Sequence, residues 1–201
     1  MKIGIMGGTF DPIHNGHLML GHAAYETFSL DQIWFMPNGM PPHKKQSSIE
    51  SDIHERIAMT RIAIKANKQF YLQEYEAKRE KVSYSYKTME YFKEMYPEDE
   101  FYFIIGADSL MAIETWVHPE RIFPTCTILA TYRDEIKTKE EMDQQIHHLS
   151  EKYGAQVLLM ETPLMPVSSH ELRASLQAGE SVSAYVPDAV CGYIKEHQLY
   201  W

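Results

Sequence analysis

Lys2-Ile3-Gly4-Ile5-Met6-Gly7-Gly8-Thr9-Phe10-Asp11-Pro12-Ile13-His14-Asn15-Gly16-His17-Leu18 is the stretch on which the fold turns. Lys2–Met6 is a short apolar run, β-branched in part, stopped by Gly7-Gly8; it reads as a buried strand. Paired glycines after a strand let the backbone approach a ligand closely. Asp11-Pro12 turns the chain. From His17 to Phe28, apolar side chains at Leu18, Leu20, Ala24, Tyr25 and Phe28 recur at a helical period. His14 and His17, three apart at the helix start, can face the same way. Backbone N–H groups and the positive end of the helix dipole already suit a phosphate there. By itself, Gly-Gly after a strand is more often a tight turn than a ligand cradle. The histidine pair could also be half of a zinc site. Only Asp11 and His22 stand near enough in sequence to extend it and no Cys is close, so no metal site is expected.

The same alternation continues outward. Gln32–Met36 reads as a strand stopped by Pro37-Asn38-Gly39, and Met40–Ser51 as a loop. Asp52–Ala66 reads as a helix with apolar residues at Ile53, Ile57, Ile62 and Ile64. Gln69–Gln73, Glu100–Ile105, Thr127–Thr131 and Gln156–Met160 read as strands. Ser85–Tyr96, Lys139–Tyr153, Ser168–Gln177 and Asp188–His197 read as helices. Strands alternating with helices predict βαβ units and an α/β fold, a Rossmann-like doubly wound parallel sheet with helices on both faces. In such sheets ligands lie beyond the carboxyl ends of the strands, where strand order reverses. The Gly-, His- and Pro-rich segments follow strands directly.

The 201 residues fit one domain, residues 1–201, with no repeat or low-complexity tract. Apolar residues are 44% and charged residues 23%, which excludes wholesale disorder. A net charge of −9 argues against a nucleic-acid coat but not against a small anionic ligand held by local cations and N–H groups. The longest apolar runs are far short of the ~20 residues that span a bilayer, so no membrane partner is expected. Two distant cysteines, Cys126 and Cys191, predict a reduced, cytoplasmic protein. Both read as small buried hydrophobes. His22, Arg56 and Arg61 read as helix-face residues without chemistry.

At the string Gly7–Leu18 the sequence resembles the nucleotidyltransferase superfamily with its His-x-Gly-His core. With His14 at the first position it is similar to the bacterial nicotinate-nucleotide adenylyltransferases; the related phosphopantetheine adenylyltransferases typically have Thr there and a shorter chain. The resemblance recurs down the chain. It is carried by Pro37-Asn38-Gly39-Met40-Pro41-Pro42-His43-Lys44, by Ser83-Tyr84-Ser85 with Arg79 and Thr88, and by Ile105-Gly106-Ala107-Asp108-Ser109-Leu110 with Trp116. Val167-Ser168-Ser169-His170-Glu171-Leu172-Arg173, Val186-Pro187-Asp188 and the Tyr193–Tyr200 tail complete it. Ser85 stands where the family usually has Thr, His170 where Ser or Thr is common, and Val117 where an aromatic is frequent. Thr131-Tyr132-Arg133-Asp134 replaces an Arg-Pro-Gly stretch, so only Arg133 carries over.

The resemblance implies adenylyl transfer from ATP to nicotinate mononucleotide, with Mg²⁺ accompanying the triphosphate, in NAD biosynthesis. His17 and His14 are then the catalytic candidates. Gly7, Gly8, Thr9, Phe10, Lys44, Gly106, Asp108, Ser168, Ser169 and Arg173 are implied on the ATP side; Asn38, Ser85, Trp116 and Arg133 on the mononucleotide side. The partners implied are these small molecules, with homo-oligomer formation left open. Ser168 and Glu171 also read on their own as a capping box, which is compatible with phosphate binding. Two other classes stay open: a different nucleotidyltransferase, and a nucleotide-binding module without turnover.

Overall fold

The core begins at β1 (Lys2–Gly8), whose Ile3 and Ile5 are sealed from solvent. Apolar runs of this kind become strands when both faces of a sheet are covered. The computed structural model describes residues 1–39, 49–79, 82–132, 138–162 and 165–201. Lys44 and Arg133 lie outside the described residues.

Elements follow in the expected alternation: β1, α1 (Asn15–Thr27), β2 (Gln32–Pro37), α2 (Ile53–Ile64), β3 (Phe70–Leu72), α3 (Ser85–Met95), β4 (Glu100–Gly106), α4 (Ala107–Ala112), β5 (Thr127–Tyr132), α5 (Lys139–Tyr153), β6 (Val157–Glu161), α6 (Ser169–Gln177) and α7 (Asp188–Glu196). The six strands form one sheet in the order β3-β2-β1-β4-β5-β6. Pairings β1–β4, β4–β5 and β5–β6 are parallel, in registers that place Ile5 opposite Phe103 and Ile105 opposite Ala130. This is the doubly wound α/β fold read from the sequence. Strand order reverses at β1, so the carboxyl end of β1 is where this architecture receives ligands.

By contacts the chain divides into two compact units: Met1–Met6, Leu20–Trp34 and Tyr84–Leu164; and Gly7–Met19, Phe35–Ser83 and Met165–Trp201. In the first unit Trp34 packs edge-on against Phe92, ring centroids 5.3 Å apart. In the second, Phe35 lies against Phe70 at 4.9 Å and Met59 is fully enclosed. α5 opens on a capping box of Thr138 and Glu141 and closes on Gly154 at φ 64, a left-handed position that suits glycine. Residues 107–125, for which the sequence pattern predicts no element, hold α4 and three single 3₁₀ turns, Ile113–Thr115, Pro119–Arg121 and Phe123–Thr125. Elements this short carry too few residues for a readable period. Among the described residues no helix is long and apolar enough to cross a membrane.

Candidate active site

β1 delivers Gly7 and Gly8 at its carboxyl end, and the chain turns through Thr9–Ile13 into α1. Phe10 sits at φ 50, a left-handed backbone uncommon for a bulky residue. Its buried ring meets His17 edge-on at 4.9 Å and lies 6.1 Å from Phe35. The Asp11–Pro12 peptide is cis.

His14 and His17 are stacked, with ring centroids 3.7 Å apart. Gly16 makes that possible: a Cβ there would lie 3.0 Å from Cε1 and Nδ1 of His14. The backbone N–H of His14 donates to Nδ1 of His17 at 3.2 Å. That lone pair is used, so the proton of the neutral His17 ring sits on Nε2. His14 is only 6% exposed. Burial pulls its imidazole down to about 4, so it is neutral at pH 7. Among the described residues its Nδ1 has no hydrogen-bond partner. An orphaned buried nitrogen costs roughly 1–3 kcal/mol, and a bound ligand or water relieves that cost.

Three carbonyls of the turn are held by side chains from other segments. Arg56 Nη1 donates to Thr9 O at 2.8 Å, Arg173 Nη1 to Asp11 O at 2.8 Å, and Ser169 Oγ to Pro12 O at 3.0 Å. In a trans peptide C=O and N–H point opposite ways. Arg56, by holding the Thr9 carbonyl, therefore turns the Phe10 N–H to the other side. Arg56 also donates to Asn38 O at 2.8 Å, and Asn38 N–H donates to Gly8 O at 2.9 Å. One guanidinium ties the turn after β1 to the turn after β2. Burial lowers the Arg56 pKa, and Asp11, Tyr200 and Asp52 oppose that shift.

α6 begins at the capping box expected from Ser168 and Glu171: Ser168 Oγ accepts from Glu171 N–H at 3.2 Å, and the Glu171 carboxylate accepts from Ser168 N–H at 3.0 Å. Arg173, one turn on, is buried, and its Nε donates to Glu50 at 3.0 Å. Its guanidinium is thus already engaged by Asp11 and Glu50.

One unit therefore brings together Gly7, Gly8, Thr9, Phe10, His14, His17, Asn38, Ser168, Ser169 and Arg173. The other holds Ser85, Gly106, Asp108 and Trp116. Gly106 precedes α4, with Asp108 exposed in the first turn. Trp116 meets Phe103 of β4 edge-on at 6.3 Å. Ser85 is the first residue of α3, whose N-cap Tyr84 makes no side-chain capping bond. The Tyr84 side chain thus does not cap the opening N–H groups of α3.

Arg56, Asp11, Glu50 and Tyr200 escape a reading by motif. Arg56, read as a helix-face residue, is 2% exposed. The signal was its spacing: it shares a stripe with Met59, Thr60 and Ala63, all buried, whereas Ile53, Ile57 and Ile62 are only half-buried. An arginine inside a buried stripe must find carbonyl or carboxylate partners. Asp11 has no such signal, because its partners come from residues 50, 51 and 200.

The family model for cytidylyltransferase-like proteins matches residues 5–175. A "Probable nicotinate-nucleotide adenylyltransferase" of Clostridium kluyveri is 38% identical over 100% of this chain and 99% of its own. One of the same description from Lachnoclostridium phytofermentans is 41% identical over 99% and 98%. Among solved structures, Plasmodium falciparum nicotinic acid mononucleotide adenylyltransferase complexed with NaAD superposes with a TM-score of 0.82 at 22% identity, covering 99% of this chain and 97% of that one. The last of these speaks for the fold; the sequence relatives speak for the family. The model match covers the His14–His17 turn behind β1, and the chain belongs to the nicotinate-nucleotide adenylyltransferases within the cytidylyltransferase-like family.

Proposed function

We propose that this chain transfers the adenylyl group of ATP to nicotinate mononucleotide, releasing pyrophosphate and forming nicotinate adenine dinucleotide. The observation that carries the reading is the His14–His17 pair, stacked at 3.7 Å, with the proton of His17 directed to Nε2 by the His14 N–H. A mononucleotide phosphate is already anionic at neutral pH, so it needs no general base. Its oxygen bonds to the α-phosphorus in line as the bond to the β-phosphate oxygen breaks, and pyrophosphate leaves. Positioning and charge stabilisation are then the whole of catalysis. His17 Nε2–H donates to the α-phosphate as charge builds. His14, neutral by burial, contributes a hydrogen bond to the phosphates without adding charge.

Ser168, Ser169 and Arg173 are assigned to the β- and γ-phosphates, with Lys44 a further candidate there. The Gly7–Phe10 backbone, Gly106 and Asp108 hold the ATP nucleotide. Asn38, Ser85, Trp116 and Arg133 take the pyridine mononucleotide. The divalent cation of the reaction is Mg²⁺ in this reading, arriving as part of the ATP substrate. In this reading the triphosphate oxygens and water would supply most of its ligands. Residues 1–201 work as one nucleotidyltransferase domain, and the two free cysteines fit a reducing cytoplasm.

The test is pyrophosphate release with ATP and Mg²⁺, comparing nicotinate mononucleotide with its amide. The opening N–H groups of α3 favour an acceptor-only carboxylate, whereas a carboxamide NH₂ would face donors. The expected preference in kcat/KM for the acid is at least ~10²-fold. Equal values would remove the nicotinate assignment and leave adenylyl transfer standing. No pyrophosphate with either acceptor would remove both.

A further inference from the structure

Behind the histidine turn lies a buried carboxylate that the transfer reaction does not use. Asp11 is 1% exposed. Its carboxylate accepts from the backbone N–H of Glu50 at 2.8 Å, from that of Ser51 at 3.2 Å, and from the Tyr200 hydroxyl at 2.6 Å. Tyr200 is the penultimate residue, 189 positions away, and is itself buried. Its hydroxyl also lies 4.0 Å from Sδ of Met59 on α2. The three donors come from two separate parts of the chain, and one of them is a side chain.

The turn needs such a hold. Phe10 lies in the left-handed region, where a bulky side chain persists only if its surroundings over-determine it. Asp11 follows it directly, and His14 is three residues further on. The Phe10 ring packs on His17, so a shift of this turn moves the catalytic ring as well. Catalysis by positioning is sensitive to this: a displacement near 1 Å can cost about 10²-fold.

We propose that Tyr200 is a positioning residue for the transfer step: its hydroxyl, bonded to Asp11, locks the turn that carries His14 and His17. Tyr200 thereby sets the catalytic geometry without touching substrate. This rests on the adenylyl-transfer reading. A hydroxyl that served stability alone would change melting and leave the His17 ring where it is.

Tyr200→Phe removes only the oxygen. The expected result is a roughly 10-fold fall in kcat with KM for ATP and for the mononucleotide within about 2-fold. In the His17→Ala background the same substitution should cost clearly less, about 3-fold, because one of the two positioned rings is gone and only His14 remains. Asp11→Asn, which keeps size and one acceptor oxygen, should lower kcat in the same pattern. A ligand-free readout accompanies these: the imidazole ¹⁵N resonances of His17 should shift in Tyr200→Phe. Equal kcat losses in the native and His17→Ala backgrounds would overturn the proposal. So would unchanged His17 resonances. If the unsubstituted protein released no pyrophosphate, the transfer reading would fail, and the resonances would still decide whether Tyr200 holds the histidine turn.

Discussion

The backbone N–H of His14 points at Nδ1 of His17 across 3.2 Å, so one catalytic candidate sets the tautomer of the other. This makes a prediction about shape as well as about loss. His17→Ala should lower kcat about 10²–10³-fold, the scale of one lost transition-state donor. His17 is half-buried, so the melting temperature should change little. His17→Gln places an amide N–H near the position of Nε2 and should retain more activity than Ala. His17→Asn places its amide near Nδ1 and should resemble Ala. Steady-state kinetics and thermal melts of the three variants test this, and parallel loss of folding and activity would mark His17 as a packing residue.

His14 predicts an acid sensitivity with a defined sign. Burial holds its folded pKa at about 4 against an unfolded value of 6.5. Above pH 6.5 neither state takes the proton, and stability is fully present. As pH falls from 6.5 toward 4 the unfolded chain binds the proton first, so stability is lost over that window. The loss should approach roughly 3 kcal/mol at the lower end. His14→Gln should flatten that slope in urea unfolding at pH 7, 5.5 and 4.5. An unchanged slope would show that His14 is not the buried neutral group.

Arg56 should matter to ATP binding without touching ATP. Arg56→Met removes the guanidinium that donates to Thr9 O and Asn38 O and should destabilise the fold by roughly 2–4 kcal/mol. Arg56→Lys restores a charge but not a planar fork, and one ammonium reaches fewer carbonyls. The lysine variant should fold and raise KM for ATP several-fold, with the mononucleotide KM nearly unchanged. Normal ATP kinetics in a folded Arg56→Lys protein would confine Arg56 to stability.

Two glycines separate packing from ligand contact. A Cβ on Gly39 would lie 2.6 Å from the backbone oxygen of Glu76, so Gly39→Ala should destabilise by about 1–3 kcal/mol. On Gly106 the nearest atom to a Cβ is Thr131 Oγ1 at 3.9 Å, an ordinary contact. Gly106→Ala should therefore melt like the parent and lose kcat/KM for ATP if a nucleotide passes close to that backbone. Unimpaired kinetics for this alanine would remove Gly106 from the ATP side.

Apart from α4 and the 3₁₀ turns of residues 107–125, the order of strands and helices is legible in the residue types alone, because apolar period and turn residues are local properties. Lys139–Tyr153 was readable end to end from its polar period and Gly154, and the capping box from Ser168 and Glu171 alone. The neighbouring histidines were legible for the same reason: three residues apart, they need no knowledge of the rest of the chain. What holds them was not legible. The stripe that α2 buries runs through Arg56, Met59, Thr60, Ala63 and Ile64 and leaves Ile53, Ile57 and Ile62 half-buried, with the carbonyls of Thr9 and Asn38 receiving the guanidinium. Asp11 reads as a turn residue until Glu50, Ser51 and Tyr200 converge on it, and nothing in the phosphate-binding reading of Arg173 shows that Asp11 and Glu50 engage it. Burial and partner choice are set by residues up to 189 positions apart, so only the tertiary structure could decide the charge of His14, the tautomer of His17 and the clasp behind them.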